Sequence, residues 1–184
     1  MREIVEALPA EAIRSQWLGY PPASDEQIRQ VEVRLAIGLP PSYRAFLQVS
    51  NGWRATGLRL GEMWSTEKIE WFRTGHQDVI DAWFAGVRSQ AGPLAVPDEK
   101  YFVYGDDQMS YNIRDEYLQT ALELGDIVDN SVYLLNPQIV TSDGEWEAWF
   151  FAQWLPGACR YRSFWDLMQA EYKSFLRLRD RRRP

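Results

Sequence analysis

The fold of this chain is decided by residues 38–53, which read Gly38-Leu39-Pro40-Pro41-Ser42-Tyr43-Arg44-Ala45-Phe46-Leu47-Gln48-Val49-Ser50-Asn51-Gly52-Trp53. Proline cannot continue a preceding helix, but it costs nothing in the first turn of a new one, where the amide has no intrahelical partner. Tyr43, Phe46 and Leu47 then recur at helical spacing and form one apolar face. The stretch therefore predicts a short helix that begins at the proline pair and turns this face toward the core.

Both flanks of this predicted helix carry residues that tolerate a positive φ. Gly38 predicts a left-handed end for the preceding helix, and Asn51-Gly52 predicts the end of this one. Asn51-Gly52-Trp53 allows two interpretations, a binding loop or a helix end with Trp53 packed into the core. The conformational requirement of Asn-Gly accounts for the sequence fully, so the structural interpretation is favoured.

Together, Leu39-Pro40, Tyr43, Phe46-Leu47 and Asn51-Gly52 followed by a large apolar residue resemble the signature of the SUKH superfamily. That superfamily includes the fungal Smi/Knr cell-wall assembly regulators and many bacterial immunity proteins. The resemblance begins near Ser24 and returns between Tyr117 and Phe175. The segments there that resemble family strands and the last family helix are Glu116-Tyr117-Leu118, Tyr133-Leu134-Leu135-Asn136-Pro137, Gly144-Glu145-Trp146-Glu147-Ala148-Trp149 and Ser163-Phe164-Trp165-Asp166-Leu167-Met168.

The order of the predicted elements indicates an α+β fold, with an antiparallel or mixed central sheet flanked by helices at both chain ends. The resemblance implies one SUKH-like domain over residues 1–184, with the similar core at 24–176 and a basic tail at 177–184 that is expected to fray. Further helices are predicted at 9–18, 24–38, 74–87 and 163–176, the second and third opened by capping boxes at Ser24 and Thr74. Their inner faces are predicted to include Ile28, Val31, Leu35, Ile80, Trp83, Phe84, Val87, Phe164, Leu167, Met168, Phe175 and Leu176, with Trp146 and Trp165 on inner faces as well.

Strands are predicted at 58–65, 69–72, 101–104, 121–125, 132–135, 138–141 and 146–154. Ser142-Asp143-Gly144 is typical of a hairpin turn between the last two. In 146–154, Trp146 and Phe150 alternate with Trp149 and Phe151, so large rings point to both sides. This pattern predicts a central strand with packing partners above and below it.

Composition indicates an intracellular protein. Cys159 is the single cysteine, so no intramolecular disulfide can form, and the chain suits a reducing compartment. The first residues include Glu3 and Glu6, where a signal peptide would need a basic start and an apolar core. No run of about 18 apolar residues occurs, so no membrane span is predicted. We therefore expect a cytoplasmic location.

The net charge of −6 conceals a strong asymmetry. Residues 98–147 contain twelve acidic residues against Lys100 and Arg114, a local balance of −10, whereas 173–184 carries a balance of +5. An acidic block repels nucleic acid and attracts a basic protein surface. The candidate partner-binding residues are the loop acids Asp98, Glu99, Asp106, Asp107, Asp126 and Asp129 and the potential anchors Trp53, Trp64 and Trp71. The alternative is that these acids are solvated loop residues.

Residue supply argues against most enzyme classes. A cysteine–histidine nucleophile would have to pair His76 with Cys159, the only residues of their types. A zinc site needs about four Cys or His ligands, and the acidic loops lack the alternating oxygen ligands of a calcium loop. No nucleotide-binding glycine motif occurs. We therefore expect no catalytic residues, no metal and no cofactor.

The resemblance implies a binding protein, and two roles follow from it. Bacterial members neutralise toxins, often nucleases, by binding them, and an acidic domain can occupy a basic phosphate-binding cleft. The fungal members, which this chain resembles in the signature region, are intracellular regulators or scaffolds. Because the fungal type carries long disordered flanks and this chain shows almost none, the sequence favours an immunity protein that occludes the active site of a basic toxin domain. The toxin and the oligomeric state stay open.

Overall fold

A computed structural model describes residues 10–55, 61–89, 96–152 and 154–181. The described elements are, in chain order, α1 (Ala10–Ser15), α2 (Asp25–Leu35), α3 (Pro41–Val49), β1 (Glu70–Trp71), α4 (Phe72–Ser89), α5 (Asp98–Tyr101), β2 (Leu122–Glu123), β3 (Ser131–Val140), β4 (Trp146–Ala152), β5 (Ala158–Tyr161) and α6 (Phe164–Arg181). Short 3-10 turns span Gly105–Asp107 and Asp115–Thr120. The strands form one antiparallel sheet in the order β1-β2-β3-β4-β5. The predicted α+β fold with a helix-flanked antiparallel sheet is confirmed.

Helix α2 begins as the sequence predicts, but the residue that closes it comes two positions earlier than predicted. Ser24 and Gln27 form the predicted capping box, and Ile28, Val31 and Leu35 are buried. The left-handed residue that closes the helix is Ala36, with φ of 56°, and not Gly38. The amide of Ala36 bonds back to helix carbonyls, which offsets the strain of a side chain at positive φ.

Helix α3 is the predicted signature helix. Pro40 precedes its first turn, and Tyr43 and Leu47 are fully buried, while Phe46 is half-buried against the same core. Leu39 is buried as well. No side chain of the preceding loop caps the helix. Instead Glu145, in the β3–β4 turn, accepts hydrogen bonds from the Ser42 amide (2.8 Å) and hydroxyl (2.6 Å), so a distant carboxylate stabilises the positive end of the helix.

The end of α3 differs from the prediction. Ser50 closes the helix in an extended conformation, with φ of −152°. Asn51 does not adopt a positive φ; its side-chain oxygen accepts a hydrogen bond from the Thr66 amide at 2.8 Å. Gly52 does have a positive φ of 98°, as the sequence requires. The Asn-Gly pair therefore shapes the chain after the helix rather than the helix end itself.

The sheet centres on a long hairpin. The segments predicted at 132–135 and 138–141 are one strand, β3, with a register irregularity between Asn136 and Val140. Val140 pairs with Trp146 across the predicted turn, where Gly144 has φ of 85°. β5 was not predicted, because four residues give too short a pattern to recognise. β4 pairs with β3 on one side and β5 on the other, which confirms its central position.

The two faces of the sheet differ in chemistry. Helices α2, α3 and α6 cover the first face, where one row across the strands consists of Leu122, Leu135, Ala148 and Tyr161. Helix α4 and residues 96–120 cover the second face, where the neighbouring row consists of Glu123, Leu134, Trp149 and Arg160. Both charged residues at the ends of that second row are buried. The first face is thus apolar, and the second contains charges inside the protein.

Several other predictions need correction. Residues 101–104 are not a strand: the Pro97 carbonyl accepts the amides of Lys100 and Tyr101 and opens a helical turn instead. In 58–65, residues 58–60 lie outside the described part. In the rest, Met63 forms two isolated bridges, to Trp53 and to Gly125, instead of a strand.

Two predicted helix features are also wrong. Helix α4 starts at Phe72 instead of at a capping box near Thr74, and a kink at His76 (φ −134°, ψ 34°) interrupts it. The buried position of Ile80 is confirmed, and the side chain of Val87 lies outside the described residues.

In α6, Ser163 caps the helix as predicted, but Trp165 and Phe175 are exposed rather than inside. Trp165 is the neighbour of the buried Phe164, so the helix turns it outward.

Candidate partner-binding site

Four of the predicted acidic residues lie in one segment on the second face of the sheet. Asp98 and Glu99 occupy the first turn of α5, and Asp106 and Asp107 occupy the 3-10 turn that follows. All four side chains are exposed. Asp98 forms an ion pair with Arg114, so it is the member of this group whose charge is directly compensated.

The other two predicted acids lie in the turn between β2 and β3. Asp126 and Asp129 are exposed, and Asp126 accepts a hydrogen bond from the indole nitrogen of Trp64 at 2.7 Å. The chain around Trp64 is held to this turn by the bridge between Met63 and Gly125. The structure thus brings Trp64 and Asp126 together, whereas Asp106 and Asp107 belong to a different segment.

The three candidate tryptophans are half-buried and pack against the apolar core on the first face of the sheet. Trp53 bridges to both Gly19 and Met63, and its ring meets the ring of Trp17 edge-on at 4.9 Å. Trp71 lies in the edge strand β1 and pairs with Leu122. Each of these side chains therefore has a packing role and presents only part of its surface to solvent.

The segment that contains Asp98, Glu99, Asp106 and Asp107 is anchored to the sheet by a buried carboxylate, Glu147 of β4. In the sequence this residue counts only as one of the twelve acids of 98–147. Its side chain is fully buried. Its donors are Tyr101 Oη (2.6 Å), Tyr104 Oη (2.8 Å), Asn136 Nδ2 (3.1 Å) and Trp149 Nε1 (2.6 Å). Four neutral donors converge on one carboxylate, which holds the chain between Tyr101 and Tyr104 against the sheet.

Arg160 of β5 supplies the matching charge. Its guanidinium lies 3.6 Å from Glu147, with both side chains fully buried, and it donates to the carbonyls of Tyr101 and Val103. Burial first, and the Glu147 charge second, raise the pKa of the Tyr101 and Tyr104 hydroxyls, so both stay protonated and act as donors. The signal in the sequence was an acid and an arginine, each inside an otherwise apolar strand.

A second buried acid, Glu123 of β2, lies beside the kink in α4. Glu123 Oε1 is 3.1 Å from His76 Nε2, and the Glu123 side chain is 3% exposed. Burial, with a smaller contribution from Asp126, raises the pKa of Glu123 to about 8. The carboxyl is therefore mainly protonated at neutral pH.

His76 and Cys159 lie on opposite sides of the sheet. His76 contacts Glu123 on the second face, whereas Cys159 pairs with Phe150 and belongs to the first face. Burial and the nearby Glu171 raise the pKa of the Cys159 thiol, which disfavours the reactive thiolate. This arrangement does not provide a cysteine–histidine nucleophile.

Other features bear on ligands and membranes. An open depression of about 390 Å³ is lined by Tyr20, Pro21, Pro22, Gln27, Asn51, Glu62 and Ser65. Among residues 10–55, 61–89, 96–152 and 154–181, no three His, Cys, Asp or Glu side chains are grouped to hold a metal ion. A search of the same ranges finds no helix that is long and apolar enough to cross a membrane.

Comparison with protein families identifies the class of protein. The model of the SMI1/KNR4 family (SUKH-1) matches residues 22–175, which is most of the chain and includes α2, α3, the whole sheet and the start of α6. The protein belongs to this family, and the resemblance seen in the sequence is confirmed. No curated protein and no solved structure matches the chain.

Proposed function

We propose that this protein is an immunity protein that neutralises a basic toxin domain by covering its active site. The observation that carries the proposal is the exposure of the acidic block. Of the twelve acids in 98–147, Asp98, Glu99, Asp106, Asp107, Glu116, Asp126, Asp129 and Asp143 are exposed, and only Glu123 and Glu147 are buried. The block therefore presents its charge at the surface, where a basic partner can meet it.

The chemistry of the partner follows from this charge. A nuclease presents Lys and Arg to phosphates, and an acidic protein surface is complementary to such a cleft. Long-range attraction speeds the encounter, and contacts with half-buried rings such as Trp64 supply short-range affinity. We propose a nuclease-type toxin as the partner, in the cytoplasm, with no direct contact between this protein and nucleic acid or membrane.

The proposed mechanism is occlusion without catalysis. The separation of His76 from Cys159 by the sheet, and the raised pKa of the thiol, support a protein that binds and does not modify its target. An occluding inhibitor acts stoichiometrically and leaves the toxin chemically unchanged. An enzyme would act below one equivalent and leave a lasting change.

The proposal predicts a toxin gene beside this one, and the test is a titration against the toxic domain that this gene encodes. We expect toxin activity to fall to zero near one equivalent, and to return once the two proteins are separated in denaturant and the toxin is refolded. Complete inhibition well below one equivalent would contradict occlusion. A toxin that stays fully active at excess would contradict the immunity role and favour the regulatory role of the fungal relatives.

Two variants test whether the protein protects cells without catalysis. His76→Ala and Cys159→Ala remove the most reactive side chains of the described part while leaving the acidic surface intact. We expect both to protect cells that express the toxin as well as the parent does, once circular dichroism shows that they fold. Loss of protection in a folded variant would point to a catalytic role.

A further inference from the structure

The depression near the start of α2 combines flat apolar walls with a carboxylate. Its volume of about 390 Å³ lies within the roughly 300–1,000 Å³ that ligand sites occupy. Its apolar wall consists of Tyr20, Pro21 and Pro22. Its polar lining consists of Gln27, Asn51, Glu62 and Ser65. Among the described residues that line it, Glu62 alone carries a charge, so the depression is suited to a cation.

Hydrogen bonds between distant segments fix the walls of the depression. The Asn51 amide donates to the Pro21 carbonyl at 3.1 Å, and the Asn51 side-chain oxygen accepts the Thr66 amide at 2.8 Å. The Tyr20 amide donates to the Gly52 carbonyl at 3.4 Å. These bonds fasten the loop before α2, the residues after α3 and the segment around Thr66 to one another. A preformed site loses little free energy to ordering when a ligand binds.

The polar atoms of the lining are arranged as hydrogen-bond acceptors. The Ser65 hydroxyl and the Gln27 side-chain amide both donate to the Glu67 carboxylate, the latter at 3.1 Å. The Tyr20 hydroxyl donates to the Glu62 carboxylate. Because these protons are engaged, the oxygens of Ser65 and Glu62 keep lone pairs for a further donor. The lining therefore matches a ligand that brings both N–H groups and a positive charge.

Two cations lie near the depression but outside its described lining. Arg54 stacks on the Tyr20 ring at 4.3 Å, and two backbone carbonyls hold its guanidinium in place at 2.8 and 3.3 Å. Lys68 Nζ lies 3.3 Å from Glu62 Oε1, but the Lys68 side chain is 57% exposed. An exposed pair of this kind is weak, so a ligand can displace the ammonium. The Arg54 contact shows that the Tyr20 ring accepts a guanidinium.

We propose that this depression binds the guanidinium of an arginine side chain presented by a protein partner. A guanidinium is planar, stacks on aromatic rings and carries five N–H donors, so it fits both the flat walls and the acceptors. A lysine ammonium is a compact and strongly hydrated point charge, which flat walls match poorly. Arginine also frequently dominates the binding energy at protein interfaces. That a toxin supplies this arginine rests on the proposed function, whereas the site itself does not.

The position of the depression supports a role in partner binding. Glu62 and Ser65 stand on either side of Trp64 in the chain, and the Trp64 indole donates to Asp126 at 2.7 Å. The depression therefore adjoins two of the residues that the sequence nominates as partner contacts. An arginine held there would bring the rest of a partner onto the exposed part of Trp64.

The first experiment titrates N-acetyl-arginine amide into the full chain labelled with nitrogen-15 and follows the amide NMR signals. We expect saturable shifts at Tyr20, Asn51 and Ser65, with a dissociation constant on the order of 1–10 mM, because one side chain makes few contacts. N-acetyl-citrulline amide has the same shape without the charge. It should bind at least about 10-fold more weakly, as should the α-acetylated lysine amide.

Three variants locate the site with the same probe. Glu62→Gln keeps the shape and removes the charge, so N-acetyl-arginine amide should bind at least about 10-fold more weakly. Lys68→Met removes the competing ammonium and should tighten binding about 3-fold. Asp78→Asn is the matched control, since Asp78 is an exposed acid of α4. It should leave the dissociation constant unchanged, and the NMR spectrum of each variant reports whether it folds.

The same variants separate this site from the proposed function. Against the toxic domain, Glu62→Gln should raise the dissociation constant at least about 10-fold, and Asp78→Asn should not change it. If the parent binds N-acetyl-arginine amide but leaves the toxin active, the immunity role falls and the site stands.

Three results would overturn the proposal. Signals that do not shift up to about 50 mM probe exclude a site of the expected affinity. Shifts that persist in Glu62→Gln, or that the citrulline amide reproduces at the same concentrations, exclude recognition of a guanidinium by this carboxylate. Equal affinity of Glu62→Gln and the parent for a neutralised toxin would show that the partner does not place an arginine here.

Discussion

At the scale of single residues, Gly52 shows how a correct prediction can rest on an incomplete reason. The Asn-Gly pair predicts a positive φ, and Gly52 has one. The stronger constraint comes from elsewhere in the chain. A Cβ atom at this position would lie 2.6 Å from the Met63 carbonyl oxygen and 3.1 Å from the backbone of Trp64. Two chain segments approach each other here, and only glycine leaves room for both.

We predict that Gly52→Val destabilises the protein by at least about 1–3 kcal/mol, the cost of a side chain at a strained backbone position. The measurement is urea unfolding followed by tryptophan fluorescence. Gly86→Ala is the matched control, since Gly86 lies in α4 and a Cβ there meets no atom within 4 Å. It should be neutral or stabilise by about 0.5–1 kcal/mol. Superimposable curves for Gly52→Val and the parent would refute the constraint.

The raised pKa of Glu123 leads to a second prediction at this scale, which concerns the pH dependence of stability. Its pKa is raised from 4.5 to about 8, so the folded protein binds one more proton than the unfolded chain between these values. The stabilisation is therefore complete below pH 4.5 and is lost as pH rises through 8. This single group makes the free energy of unfolding decrease by up to about 1.4 kcal/mol per pH unit across that interval.

Glu123→Gln removes the titration and keeps the shape, so we expect a flatter dependence of stability on pH between 5 and 8. The variant should gain stability relative to the parent as pH rises, because the unfolded parent releases a proton in this range that the folded parent keeps. Asp126→Asn, at the second contributor to the shifted pKa, should alter the slope less. Denaturant melts across this pH range provide the data. Equal slopes for Glu123→Gln and the parent would show that folding does not raise the pKa of Glu123.

At the scale of elements, local patterns predicted most helices and the hairpin, and long-range contacts decided the exceptions. The capping box of α2, the apolar face of α3 and the Ser-Asp-Gly turn are local signals, and the structure confirms them. Residues 101–104 are aromatic and β-branched, which favours a strand. Their carbonyls instead bind Arg160, which is 59 residues away from Tyr101 in sequence. No local pattern contains that partner.

The same contact predicts a large effect of one substitution. Arg160→Met leaves Glu147 buried without its cation and frees two carbonyls, so we expect a loss of about 3–5 kcal/mol. Arg162→Met is the control, because Arg162 is exposed and only stacks on Tyr104 at 5.3 Å. Its loss should stay below about 1 kcal/mol. Thermal unfolding of both variants decides the matter. Similar losses would mean that the buried pair does not anchor the segment.

At the scale of the whole molecule, the sequence predicted a strong acidic surface but not its organisation. It nominated Asp106, Asp107, Asp126 and Asp129 together, and the structure places them in two separate segments. It also included Glu147, which is buried and paired with Arg160. Charge along a chain is visible in the sequence, whereas its distribution over a surface depends on the fold. This is why the sequence indicates the charge of the surface but not where on it a partner would bind.

We predict that Asp106→Lys/Asp107→Lys slows association with the toxic domain by about 10-fold at low salt and weakens the salt dependence of the rate. Asp126 is left unchanged, because its replacement would also break the hydrogen bond with Trp64. Asp78→Lys/Asp81→Lys makes the same change in net charge on α4 and is the control. Stopped-flow association at two salt concentrations distinguishes them. If the two double variants associate at equal rates, net charge controls association and the position of Asp106 and Asp107 does not.

The outer edge of β5 determines what kind of contact the sheet can make with other chains. The amide and carbonyl of Arg160 are both bonded to the side chain of Gln108, at 2.6 and 3.2 Å, and the Ala158 amide bonds to the Ser110 carbonyl. A carboxamide thus occupies the backbone groups that an incoming strand would use. Strand addition, which is a common route to peptide capture and to fibrous aggregation, is blocked at this edge. A partner that approaches this edge must therefore recognise side chains, and sequence changes there can alter the choice of partner without disturbing the backbone of the sheet.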